Sequence, residues 1–139
     1  MKKYLLALGT LCAIASCKKD AGDGGNSSIK GRVEVITRLV IDNPGTSTDT
    51  LSAADRDVYI IYGDHISPDD RVRTNFDGEF EIKYLRPGDY TIYVFSDDTS
   101  GATNIGSDEF HHMVVKKEIS ISDKKQDVDA ETFTVYEEI

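Results

Sequence analysis

Three histidines, two cysteines and several clustered aspartates are the residues with chemistry to offer, and their spacing limits what each can do. His111 and His112 stand beside Asp108 and Glu109, which raises a metal site; adjacent strand residues point to opposite faces, however, so the pair cannot chelate from a regular strand, and a solvated loop edge is expected. His65 lies among Asp64, Asp69 and Asp70, an acid–base set that lacks a nucleophile or a third orienting group at a recognisable spacing. The acidic loops are weak calcium candidates, with Asp64, Asp69 and Asp70 in one and Asp97, Asp98 and Asp108 in the other. Neither fits the EF-hand loop: counted from Asp97 its sixth position is Ala102, and from Asp98 it is Thr103, where the sharp turn requires glycine. No metal, cofactor or catalytic residue is therefore expected. Tyr59, Tyr93 and Phe95 are the leading candidates for ligand contact, as an exposed aromatic strip for stacking on sugar rings or docking a partner. Their ordinary alternative is to cover the edge or outer face of a sheet.

The elements that must position these residues start after a leader. Lys2 and Lys3 precede an apolar run over 4–16, shorter than the roughly 20 residues a membrane-crossing helix needs, so 1–16 reads as a signal peptide. Cys12 leaves with it, and Cys17 becomes an unpaired thiol with no intrachain disulfide to join. Residues 17–28 are polar and glycine-rich and read as a flexible tether, its ends on the order of 18 Å apart.

From Ile29 the dominant period is two. Ile29, Gly31, Val33, Val35, Thr37, Leu39 and Ile41 share one face of a strand, with Lys30, Arg32, Glu34 and Arg38 on the other. Asn43-Pro44-Gly45 suits a type II turn, and the segment to Asp57 reads as a long loop. A short, continuously apolar strand over 58–62 is expected to be buried on both sides or to lie near the sandwich centre. Strands over 71–75 and 79–84 flank Asp77-Gly78, the signal for a tight type I′ hairpin. Arg86-Pro87-Gly88-Asp89 reads as a second type II turn, feeding 90–95, in which Tyr90, Ile92 and Val94 face the core. The last strands fall at 112–122 and 128–136, where a bulge near Glu131 reconciles Val128 and Ala130 with Phe133 and Val135. About seven short strands without a helical period predict an all-β antiparallel sandwich over 29–139.

Two resemblances attach to these residues. Ile14-Ala15-Ser16-Cys17 resembles the lipobox of bacterial lipoproteins, which implies that Cys17 is diacylglyceryl-modified, cleaved free by signal peptidase II and acylated at its amino group. Two or three acyl chains, each methylene contributing about 0.8 kcal/mol, anchor such a protein stably. The Ser-Cys-Lys-Lys-Asp start is similar to Bacteroidota lipoproteins, which implies the outer membrane, with charges after the cysteine that favour surface export. Ile29-Lys30-Gly31-Arg32-Val33, Val58-Tyr59-Ile60, Thr74 to Ile82 and Leu85 to Ile92 together resemble the carboxypeptidase regulatory-like domain, a transthyretin-like sandwich. That resemblance implies a fold and an accessory or binding role and carries over no catalytic position. The hydroxyisourate hydrolases share the transthyretin-like fold, but their Tyr-Arg-Gly-Ser ending is replaced here by Val135-Tyr136-Glu137-Glu138-Ile139.

Charge narrows the partners further. The formal net charge is −9, and losing Lys2 and Lys3 makes the mature chain more acidic still, a surface that repels nucleic acid and anionic headgroups. The reading that results is a lipid-anchored, non-enzymatic cell-envelope module with a protein or glycan partner. A calcium-dependent adhesive module is the first alternative and a hydrolase the second.

Overall fold

The computed structural model describes residues 20–38, 48–97 and 112–138, which form strands and no helix. In chain order they are β1 (Asp23–Arg38), β2 (Thr48–Ser52), β3 (Asp57–Tyr62), β4 (Asp70–Arg73), β5 (Glu79–Leu85), β6 (Gly88–Asp97), β7 (His112–Ile121) and β8 (Asp127–Glu138). Two four-stranded sheets result. In the first, β8 runs parallel along one edge of β1, while β5 and β2 pair antiparallel with its first and last stretches. In the second, the order is β4-β3-β6-β7, antiparallel throughout.

The alternation predicted from sequence places the core. Ile29, Val33 and Val35 of β1, Phe80, Ile82 and Leu85 of β5, and Phe133 and Val135 of β8 face Val58, Ile60, Tyr90, Ile92, Val94 and Ile121 of the second sheet. Each fully buried side chain of this size contributes about 1.5–3 kcal/mol. Gly31 occupies an inward position because the Phe80 ring fills its place; a Cβ there would lie 2.6 Å from the ring. The bulge expected in β8 is present. Pairing with β1 skips between Asp129 and Thr132, Glu131 takes a φ of 59°, and Ala130 and Phe133 both reach the core.

Five expectations are corrected. Residues 23–28, read as tether, belong to β1, because a strand held by backbone bonds and small side chains needs no apolar period. Ser27 and Ser28 are buried there, the first hydroxyl donating to the Asp123 carbonyl and the second to the Asp127 carboxylate. Thr48–Ser52, read as loop, pairs with β1 as an exposed polar edge strand. Asp77-Gly78 does not close a hairpin: β4 and β5 lie in different sheets, and the turn carries the chain between them. Gly78 alone of the pair has positive φ, at 75°, and a Cβ on it would meet the Val33 carbonyl oxygen at 2.4 Å. The Asn75 side chain shapes this corner by accepting from the Asp77 and Glu79 N–H groups. Likewise Pro87 crosses between sheets and Gly88 already opens β6, in place of a type II turn. Finally, β3 is not buried on both sides: it lies inside its sheet between β4 and β6, buried on one face through Val58 and Ile60, with Tyr59 and Ile61 half-exposed on the other. The turn expected at 43–45 lies outside the described residues.

The corner at Gly88 is tied down by a tyrosine. The buried Tyr90 hydroxyl donates to the Arg86 carbonyl four residues upstream and accepts from the Gly22 N–H at 3.0 Å, and the Arg86 N–H returns a bond to the Gly22 carbonyl. Burial pushes the Tyr90 phenol above its ordinary pKa.

Candidate functional site

Three aromatic side chains that strand alternation sends outward meet on the second sheet. Tyr59 of β3 and Tyr93 of β6 are directly opposed in the antiparallel register. Their rings stack with centroids 5.1 Å apart and planes 12° off parallel. Phe95 stands nearly perpendicular to both, its centroid 5.6 Å from Tyr59 and 5.7 Å from Tyr93. Offset and edge-on contacts of this kind are worth about 0.5–1.5 kcal/mol each beyond buried area. Phe95 keeps 43% of its surface exposed, and Val114 of β7, beside it in register, keeps 46%. Desolvation, with the neighbouring Tyr59, raises the Tyr93 phenol above its ordinary pKa, so the Tyr93 hydroxyl stays a neutral donor at physiological pH.

Charged side chains frame the rings on both sides. The register places Arg71 of β4 beside Tyr59 and Lys116 of β7 beside Tyr93. Asp57 receives Arg71 at 3.2 Å and Arg73 at 3.0 Å, and Arg73 also reaches Asp55 at 3.1 Å. Across the face, Lys116 pairs with Glu118 at 3.7 Å. The result is an apolar platform bordered by hydrogen-bonding groups whose charges balance, within a chain that is strongly acidic. Such a surface can stack on an apolar ring face and bond to hydroxyls at its rim. The three aromatics follow from the sequence; the frame does not, although Arg71 and Arg73 flanking Val72 are its visible signal.

The remaining candidates are scattered. His65 gains a carboxylate that spacing alone did not assign to it, since its Nδ1 lies 2.7 Å from Asp69. Partial burial raises the Asp69 carboxyl, but the Tyr62 N–H and the His65 ring together outweigh that and hold it below its ordinary value. Asp70 accepts from the Arg71 N–H. Asp69 and Asp70 are thus bound to their own loop. Asp97 lies 3.3 Å from His112. Cys17, Asp98, Asp108, Glu109 and His111 lie outside the described residues. Among the described residues no group of three or more His, Cys, Asp or Glu side chains is placed to hold a metal ion, and no helix is long and apolar enough to cross a membrane.

The outer face of the first sheet holds a shallow groove of about 750 Å³. Lys30 and Arg32 line it against Glu79, Glu81 and Asp129. Lys30 reaches Glu81 at 3.4 Å, and Arg32 lies 4.0 Å from Glu34.

Neither a protein-family model nor a curated protein matches the sequence. A candidate carbohydrate-binding protein from Pseudomonas aeruginosa has a similar crystal structure, with a TM-score of 0.47 and 13% sequence identity over 84% of this chain and 92% of that one.

Proposed function

We propose that this chain is a lipid-anchored, non-enzymatic binding module of the bacterial cell envelope, and that it engages a glycan through the aromatic face of Tyr59, Tyr93 and Phe95. The contiguous rings on the outer face of the second sheet are the observation that carries this reading. A sugar presents an apolar ring face for stacking and a circle of hydroxyls, and the face offers rings within a frame of Arg71, Asp57 and Lys116. A sugar without charge suits it best, because each framing cation already faces a carboxylate. The transthyretin-like, carboxypeptidase regulatory-like resemblance supports an accessory role, and the lipobox-like 14–17 segment supports the anchor.

Native gels containing soluble neutral polysaccharides test the site. The folded chain should be retarded by at least one of them, and Tyr93→Ala should reduce the retardation about tenfold while leaving the β-sheet spectrum intact. Retardation that survives in Tyr93→Ala with Phe95→Ala would remove the face from the reading. The exposed Val114 beside Phe95 favours a protein partner as the second reading. Retention by no glycan, with aromatic-dependent capture of an envelope protein, would select it. Millimolar calcium should produce neither heat nor a rise in Tm. The anchor has its own test, since the mass of the cell-made protein should correspond to a chain beginning at Cys17 with diacylglycerol and an amide-linked acyl chain.

A further inference from the structure

We infer that the end of the sandwich bearing the 63–69 loop rests against a zwitterionic bilayer with Ile66 as its point of contact, so that β3 and β6 stand upright and the aromatic face is presented sideways, above the membrane. The inference rests on the lipid-anchored reading of Cys17, and it starts from how early the chain becomes fixed. Ala21 already packs against the core. Gly22 is held on both sides, its N–H by the Tyr90 hydroxyl and its carbonyl by the Arg86 N–H, and the Asp23 carboxylate accepts from the Tyr62 hydroxyl at 2.9 Å. From Cys17 to Ala21 an extended chain spans on the order of 14 Å. A strand the length of β6 is on the order of 33 Å long at 3.3 Å per residue. The leash is therefore shorter than the domain is tall, and the fixed end cannot leave the surface by more than a fraction of its height.

What that end offers the surface, beside the exposed Tyr84 of β5, is an apolar side chain on a braced loop. Ile66 is 99% exposed, the most exposed of the large hydrophobic residues among those described. Its loop is closed from within: Asp69 accepts from the Tyr62 N–H at 2.7 Å and pairs with His65, the Asp69 N–H donates to the Ile60 carbonyl, and the Gly63 N–H donates to Asp89. Asp20, Ala21, Gly63 and His65 line one shared hollow, so the loop and the leash leave the domain side by side. The carboxylates that line this hollow are Asp20, Asp64 and Asp89, with no lysine or arginine among its lining residues. That acidic lining disfavours anionic headgroups and suits neutral ones. Phe76, 93% exposed, sits on the corner turn at the opposite end.

The chain contains no tryptophan, so Ile66→Trp and Phe76→Trp each introduce a single reporter at an exposed site. The full chain is made in bacteria, its mass is read, and it is reconstituted through its lipid into phosphatidylcholine vesicles with and without brominated chains. The indole of Ile66→Trp should shift to the blue and be quenched several-fold more than that of Phe76→Trp, and an anionic lipid admixture should reduce the difference. Equal quenching of the two, or stronger quenching of Phe76→Trp, would overturn the orientation. A mass without lipid would instead sink the anchor. In that case coupling the Cys17 thiol to a maleimide lipid still reads the orientation, with the same two outcomes.

Discussion

Across the outer face of the β4-β3-β6-β7 sheet, in-register neighbours read Arg71, Tyr59, Tyr93, Lys116; across the outer face of the other sheet, the row through β1 reads Glu81, Lys30, Asp129. Both rows sit on the solvent side of the same sandwich, and the cations of both are paired with carboxylates. They differ in the middle. On the first sheet a cation lies between carboxylates, and exposed pairs of this kind contribute about 0–1 kcal/mol because water competes for every partner. On the second, two stacked rings keep each other half-desolvated and push the charges to the rim. Alternation decides which residues face out, whereas the residue type at the centre of the row decides whether a surface is finished by water or left with apolar area to cover.

The comparison requires that both faces belong to one cooperative body, and the corner at Gly78 is where to break it. Gly78→Ala forces a Cβ toward the Val33 carbonyl oxygen at a positive φ, and a loss of about 2–4 kcal/mol is expected. Thermal melting should show a single lowered transition by far-UV signal and by tyrosine signal alike. Two separate transitions would mean the sheets fold apart. Next in size is Tyr93→Ala, which removes one ring from both its contacts. It should cost about 1–2 kcal/mol in chemical denaturation and weaken partner binding by about tenfold. Lys30→Ala, at the matching place on the other sheet, should shift stability by less than about 0.5 kcal/mol and leave binding unchanged. A binding loss as large as that of Tyr93→Ala would transfer the site to the groove of the first sheet.

Acid should separate the faces most gently. The hydrogen bond from Lys83 holds the Glu81 carboxyl below its ordinary pKa, with Lys30 adding to it against partial desolvation. A carboxyl depressed in the folded state stabilises above its ordinary value of about 4.3 and loses that contribution as pH falls through the folded value. Glu81→Gln should therefore flatten slightly the acid limb of stability measured by denaturant titration. Tyr59→Phe, on the aromatic face, should leave that limb as it is.

Much of this architecture is legible in the residues. Ile29, Val33, Phe80, Ile82, Tyr90, Ile92 and Val94 declare their inward face through a period of two, and the broken phase between Ala130 and Phe133 declares the bulge at Glu131. Partner choice is what local pattern does not hold. Asp77-Gly78 between two strand-like runs reads the same whether the second strand folds back or crosses to the opposite sheet, and the deciding bond, from the Val33 N–H to the Gly78 carbonyl, comes from a distant segment. Thr48–Ser52 and the start of β1 escape notice because polar and glycine-rich residues form strands whenever a neighbouring edge supplies backbone partners. For the site, alternation finds Tyr59, Tyr93 and Phe95, but their stacking and their frame depend on the registers of β3 with β4 and of β6 with β7.

The parallel pairing of β1 with β8 has a consequence for how the molecule is made. Ser28 lies beside Asp127, and its hydroxyl bonds a carboxylate 99 positions later in the chain. Among the described strands, β1 is the first to leave the ribosome, and one of its edges is taken by β8, the last. Until those last residues appear, β1 can hold β5 and β2 but cannot close its other side, and loop-closure entropy delays the step further. The first sheet therefore stays open along this edge while the other described strands are made, and it locks only when β8 arrives.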